Sequence, residues 1–574
     1  MRGFWRSTSA FGLCLAAGLP SAAAAQVVTP TRDELTRQQP TTAPETPKLD
    51  VVGDIERSPC PLADPRFADV KVTISQVRFN GLKGATEEEL APSWTPYAGR
   101  EQPVAVLCEV RDKAATILRA KGYLAAVQVP TQRIDNGVVT METLFARVVA
   151  VRARGQTEGA EDKLVGYLSK LEQDEIFDRN RAERYLLLAR DLPGYNVQLT
   201  LKPAGTGPGD LIGEVAVLRR TYLVDATISN LASKATGRWG GQLRGQLFGL
   251  TGMGDVTTLS AYSTADFKEQ QVVQLAHSFR PGSEGLTVDG LFTYAWSKPD
   301  VNAGGAVPDL IARTLYASLG ARYPLVRSQK TNLWLGGGLD LLHQKVRFFG
   351  PQSEDNLRIA YLRANWDSYD RVSAAPGWRA AATAEIRKGL DIFGASDRCP
   401  NDVCPIGVIG PSRGDAHPTA GLVRAAGQFD LALGKALALA LSPRAQLAFA
   451  PLAAFEEFTL GNYTVGRGYD PAIESGDSGV ALAAELRTKA FDIARGKATV
   501  APYMFGDAGW AWNKNLPGDP NHLKSVGAGL RADMGNFRLD TSLAVPLERA
   551  GIDDRKGGPR LLVTLTSRLL PWRS

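Results

Sequence analysis

From about Thr221 to the C-terminus the chain alternates apolar and polar residues, and no uninterrupted apolar run of membrane-helix length follows residue 25. A period of two is the signature of strands with one apolar and one polar face. Without a spanning helix, such a chain is either soluble or a membrane β-barrel. In Leu286–Ser297, the face of Leu286, Val288, Phe292, Tyr294 and Trp296 opposes Thr287, Asp289, Thr293 and Ser297. In Trp378–Arg387, Trp378, Ala380, Ala382, Ala384 and Ile386 oppose Arg379, Thr383, Glu385 and Arg387. Leu437, Leu439, Leu441, Leu447 and Phe449 oppose Ser442, Arg444 and Gln446, and Phe537, Leu539, Leu543 and Val545 oppose Arg538, Asp540 and Ser542.

A soluble sandwich also alternates, so other features must decide. There are roughly 16 such segments of about 10–14 residues, the length of tilted spanning strands. Trp239, Trp296, Trp510 and Trp512 lie at segment ends, where an aromatic girdle sits. The polar face carries many arginines, which is tolerable when it lines water. Short links such as Leu250–Gly254 alternate with long ones such as Asp391–Thr419, as in outer-membrane barrels. The segments also outnumber what one sandwich holds. The expected fold is α+β repeats followed by an antiparallel transmembrane β-barrel over 221–574.

The N-terminus reads as an address. Arg2 and Arg6 precede the apolar run Phe11–Leu19 and then Ser21–Ala25, the plan of a signal peptide over 1–25. Residues 26–69 read as a linker with a short helix at Thr31–Gln38. Val72, Ile74, Val77 and Phe79 then form a strand pattern. Thr86 before three glutamates is a helix start, and Val106, Val110, Ala114 and Ile117 recur at helical spacing. Two strands complete a unit over 70–148, in the order strand, helix, helix, strand, strand. The same order recurs over 149–220, an internal repeat. A small sheet covered by two helices leaves an edge or groove that accepts an extended peptide as an added strand.

The whole chain has 66 basic and 60 acidic residues, two of the basic ones within the signal peptide, so nothing points to nucleic acid. Four cysteines follow the signal peptide. Cys60 with Cys108, and Cys399 with Cys404, are candidate disulfides in an oxidising compartment. His277, His343, His417 and His522 are scattered, so no metal site is expected, and no cofactor. Gly205–Gly209 lacks the Lys-Ser/Thr of a phosphate loop and reads as a hairpin turn.

One loop, 451–478, stands out. Within it Val465-Gly466-Arg467-Gly468-Tyr469 places an arginine between two glycines. Two strands on, Phe505, Asp507 and Gly509 share one face. In the intervening strand Glu485, Arg487 and Lys489 form the polar face. If the lumen is polar, Arg467 and Asp507 meet only when the loop folds inward, with Gly506 and Gly509 leaving room for it. The opposing reading pairs Asp507 with Arg487 and leaves the loop in solvent.

At this point the chain resembles a family. The signal peptide, two POTRA-like repeats, a barrel, Arg-Gly-Tyr and Phe-x-Asp-x-Gly together resemble the outer-membrane transporters of two-partner secretion, the hemolysin secretion/activation type, over residues 70–574. The family's Val-Arg-Gly-Tyr loop motif appears with an extra glycine before the arginine. The resemblance implies a non-enzymatic, monomeric pore set in outer-membrane lipid. Its POTRA-like domains would face the periplasm and capture an unfolded exoprotein, which the lumen would conduct to the surface. In the family an N-terminal helix plugs the pore. The rivals are a barrel-assembly insertase, which carries more repeats, and a diffusion porin, which needs none.

Overall fold

The computed structural model describes residues 29–35, 60–156, 161–300, 309–370, 377–400, 404–405, 407–493, 496–515, 518, 520–551, 554 and 556–570. The signal-peptide expectation lies outside them.

Two small domains come first, with the same topology. In the first, Gln76–Asn80 pairs parallel to Val138–Phe145, which pairs antiparallel to Ala125–Gln128. Its main helix, Val106–Ala120, lays Leu107, Val110, Ala114 and Leu118 on the sheet. Thr86 caps Glu87–Leu90 in a reciprocal capping box with Glu89, the sequence signal that marked this start. Cys60 is bonded to Cys108 of the main helix, which ties the linker's end to the domain. In the second domain Arg147–Gly155 pairs parallel to Asp210–Arg219, which pairs antiparallel to Tyr195–Pro203. Helices Glu161–Leu168 and Arg179–Arg190 cover one face and bury Leu164, Tyr167, Leu186 and Leu188. Residues 204–209 join the last two strands as a hairpin turn.

The remainder closes into an antiparallel barrel of sixteen strands, counting Ser478–Thr488 and Phe491–Ile493 as one interrupted strand. The seam joins the first strand, Tyr222–Ser229, to the last, Arg560–Leu570. Alternation sorts the faces. Leu243, Leu259, Leu319, Leu362, Met504 and Leu561 stand exposed on the outside, an apolar belt, whereas Asp225, Asp340, Glu385, Arg387, Glu485 and Asp507 are buried on the inside. Trp239, Trp296 and Trp510 are outward and exposed near strand ends.

The second domain docks on the short-turn side. The Asp191 carboxylate accepts from Arg327 Nε and Nη2, each at 2.7 Å. Arg280 donates to the Asp191 carbonyl at 2.7 Å and the Gly254 carbonyl at 2.6 Å. This side is the one next to the repeats, so the long links 390–420 and 449–477 lie at the far end.

Candidate functional site in the barrel lumen

The loop after strand Leu437–Ala448 turns into the barrel. Its limbs Phe458–Leu460 and Glu474–Gly476 pair as a two-stranded ribbon. Leu460, Val465 and Tyr469 are buried at the centre of a cluster with Ala481, Ala511 and Leu523 of the wall. Gly466 sits at φ +122°, where a side chain would be strained and its Cβ would meet Leu523 at 2.6 Å. The extra glycine of the motif is thus what permits the turn.

At the tip Arg467 is held on every side. Its backbone N–H donates to Asp507 Oδ2 at 2.9 Å, Nε to the same oxygen at 3.1 Å, and Nη2 to Oδ1 at 2.7 Å. Nη1 donates to Glu485 at 2.5 Å. The guanidinium carbon lies 3.7 Å from the centre of the Phe505 ring, a cation–π contact. Burial works against the arginine's charge, but the Asp507 and Glu485 carboxylates outweigh it and hold its pKa above the ordinary value. Ser525 Oγ donates to Asp507 Oδ2 at 3.1 Å and accepts from the Gly468 N–H at 3.3 Å. The Tyr469 hydroxyl donates to the Lys524 carbonyl at 2.9 Å.

Arg487 does not pair with Asp507. It donates to Glu485 at 2.6 Å and Asp430 at 3.1 Å. Arg531, which the sequence analysis did not single out, extends the network: it reaches Glu485 at 3.1 Å and Asp540 at 2.8 Å. Its signal was present in its period-two position on the lumen face, one strand beyond Asp507. The two wall glycines behave differently. A Cβ on Gly509 would meet Leu460 of the loop at 2.5 Å, so this position makes room for the loop. Gly506 meets nothing within 4 Å, because it lies on the opposite, outward face of the strand; its expected role is corrected. Gly509→Val is therefore expected to push Leu460 off the wall and to destabilise the folded barrel by roughly 1–3 kcal/mol, the range for overpacking. Thermal unfolding of the detergent-solubilised protein, followed by gel mobility, measures it; Gly506→Val should leave the transition unchanged.

Two further clusters fill the lumen. The turn Arg32–Leu35, capped reciprocally by Thr31 and Glu34, lies inside the barrel, and Leu35 is buried among Tyr316, Leu342, Leu357 and Phe455. Asp33 accepts from Arg444 at 2.9 Å and from Thr459 at 3.0 Å, and Arg32 lies 3.4 Å from Glu385. Beside it Arg387, 1% exposed, joins Glu456, Asp340 and Glu385 at 2.8–2.9 Å. Nearer the far end, Arg413 of the loop 390–420 donates to Glu457 at 2.6 Å, Asp477 at 2.7 Å and Asp415 at 2.9 Å. Burial pushes the Glu457 carboxyl up to about 7, with Arg413 opposing. Sequence reasoning missed Arg413 and its acids. In that same loop Cys399 is bonded to Cys404.

Paired mixed domains ahead of a closed sixteen-strand barrel with an inward loop define an outer-membrane POTRA–barrel protein. More narrowly, the chain belongs to the haemolysin secretion/activation protein ShlB/FhaC/HecB family: that family's model matches residues 217–532, and the ShlB-type POTRA domain matches residues 72–144. It sits in the outer membrane with its POTRA domains in the periplasm. Among solved structures it is similar in fold to CdiB from Escherichia coli (TM-score 0.71, 18% identity, 95% of each chain covered). CdiB from Acinetobacter baumannii is also similar (TM-score 0.63, 17% identity, 93% of this chain and 95% of that one). BamA from Haemophilus ducreyi lacking POTRA domains 1–3 aligns more loosely (TM-score 0.50, 14% identity, 87% and 100%). A search of the curated proteins finds no match.

Proposed function

We propose that this chain is the transporter of a two-partner secretion pair, which takes an unfolded exoprotein from the periplasm through its POTRA domains and passes it through the barrel lumen to the surface. The observation that carries this reading is the filling of the lumen. A polar interior is occupied by a short N-terminal turn and an inward loop, both held by ion pairs and a small apolar cluster. Ion pairs of this kind have few side chains to repack, so the occupants can withdraw without unfolding the wall. A passive porin keeps its lumen open, and so does not need such a filling. Arg467, with Asp507 and Glu485, sets the position of the loop; Phe505 supports its guanidinium, while Gly468, Tyr469 and Val465 seat the loop against the wall. Arg531 and Arg487 donate to Glu485 and orient it. The chain acts as a monomer and catalyses no reaction. The exoprotein contributes the driving energy by folding outside.

The test is a deletion and complementation experiment in the native host. Removing the gene is expected to eliminate one large protein from the medium, encoded beside it, and restoring the gene is expected to return that protein. An unchanged set of medium proteins, together with loss of other barrel proteins from the outer membrane, would contradict secretion and support an insertase instead.

A further inference from the structure

The inward loop is held at two places. Arg467 holds its tip. Its neck, where the two limbs leave the wall, is held by the neighbouring loop. Leu452 of the entering limb donates its N–H to Asp477 Oδ1 of the returning limb at 2.7 Å. The Lys514 N–H reaches Asp477 Oδ2 at 2.8 Å. Residues 410–420 of the loop 390–420 lie against this neck. The Ser412 N–H donates to Asp355 of strand Gly350–Tyr369 at 2.9 Å, and the Ser412 hydroxyl accepts from the Ala454 N–H at 3.0 Å. The His417 N–H donates to the Pro451 carbonyl at 3.0 Å. Ala416 is buried in the same apolar cluster as Leu35 and Phe455, so this segment also packs against the N-terminal turn.

Arg413 is the charged part of this contact. Its Nη1 donates to Glu457 on the entering limb at 2.6 Å and to Asp477 on the returning limb at 2.7 Å, while Nη2 donates to Asp415 at 2.9 Å. One guanidinium therefore spans both limbs. Arg413, Glu457 and Asp477 are all buried. None of these acids is shared with Arg467, whose partners are Asp507 and Glu485. A single cation facing three carboxylates leaves the cluster short of positive charge. On its other side Glu457 borders a cavity of about 80 Å³ lined by Arg32, Asp33, Glu385, Arg424 and Arg444. Those charges are paired among themselves and with the loop: Arg32 with Glu385, Arg444 with Asp33, and Arg424 with Glu456. The cavity is polar and large enough to hold water, so a proton can reach Glu457 while the neck is shut.

We propose that Arg413 is a second lock on the inward loop, which pins the neck at the far end of the lumen, lets go before a polypeptide passes, and is set by the protonation of Glu457. The proposal rests on the secretion reading and adds to it a positioning residue and a trigger. Burial raises the Glu457 carboxyl to about 7 against the pull of Arg413 and a Ser475 hydrogen bond, with Asp477 adding to the rise. Once the neck opens into water, the group returns to the ordinary carboxylate value of 4.5. The shut state therefore holds a proton that the open state releases. With Glu457 neutral, the cluster comes closer to balance, and Arg413 keeps its hydrogen bond to the carboxyl oxygen. The resulting stabilisation of the shut state is fully present below the ordinary carboxylate value and is lost as pH rises through the raised one. Acid tightens the lock and alkali loosens it.

The test is the frequency of large-conductance openings of the full-length protein in a planar bilayer. No partner is present, so the result stands apart from the secretion reading. Wild type is expected to open on the order of tenfold more often at about pH 8 than at about pH 5.5. Glu457→Gln mimics the neutral carboxyl at every pH and is expected to keep the low-pH frequency throughout. His417 is unchanged in that variant, so a response of histidine origin would persist there. Arg413→Gln leaves three acids facing one another, and at about pH 5.5 it is expected to open more than about tenfold more often than wild type. A wild type that ignores pH would overturn the proposal. A pH response retained in Glu457→Gln would do the same, as would Arg413→Gln channels that open no more often than wild type. Should Arg413→Gln fail to insert, the comparison of wild type with Glu457→Gln decides alone.

Discussion

Arg467→Ala is expected to leave the barrel folded and inserted while export of the partner falls more than about tenfold. The wall does not depend on the arginine. Asp507 sits in the middle of strand Ala498–Trp512, opposite Ala483 on one side and Ser525 on the other, and those ladders persist. Loss of the guanidinium strands Asp507, which is 4% exposed and keeps only the Ser525 hydroxyl among its side-chain partners given above. Removing one member of a buried pair costs roughly 3–5 kcal/mol because the other charge stays desolvated. Each ~1.4 kcal/mol is a factor of ten in an equilibrium. That energy falls on the tip of the loop, where Gly468 to Ser525 and Tyr469 to Lys524 remain, while Glu456 with Arg387 and Asp470 with Arg560 still hold its flanks to the wall. Glu485 is less affected, because Arg487 and Arg531 still face it. The check is outer-membrane abundance and heat-modifiable gel mobility alongside partner protein in the medium. Normal export from a folded variant would remove the loop from the mechanism.

Deletion of residues 70–220 is expected to abolish export while single-channel conductance in a planar bilayer persists. Sixteen strands close on themselves through the seam between Tyr222–Ser229 and Arg560–Leu570, so the barrel needs no strand from the POTRA domains. The deletion also breaks polar docking contacts. Arg327 and Arg280 lose Asp191, but both lie at the periplasmic mouth, where water replaces the lost acceptors. On the reading proposed above the partner is recognised by these domains, so recognition is expected to be lost with them. Export that survives the deletion would move recognition to the barrel mouth.

The architecture was legible because it rests on short-range pattern. Alternation separates Leu243 and Leu362 from Asp340 and Glu485 on local sequence alone, and Thr86 with Glu89 marks a helix start within four residues. The Arg467–Asp507 meeting was legible for a different reason. Glycines at 466, 468 and 509 mark where loop and wall approach closely, and the acid shares a strand face with Gly509, which gives the loop room. Gly506 shows the limit of that logic, since one step along a strand reverses the face. Which partners the other lumen charges meet left no local trace. Arg32 meets Glu385 across 353 residues, and Arg413 meets Asp477 from within a turn-rich loop. Arginines on a polar strand face read alike whether they line water, as the alternation suggested, or are sealed at 1% exposure like Arg387. Which acid a lumen arginine meets depends on how the loops fold inward, and period-two counting carries no information about that.

The most direct measurement of the central claim is a double-mutant cycle on export between Arg467 and Asp507. If the arginine grips that carboxylate and both act by positioning one loop, Arg467→Ala and Asp507→Ala each lower export strongly, and the double variant is no worse than the more impaired single variant. Effects that multiply in the double variant, in barrels that remain folded, would contradict it.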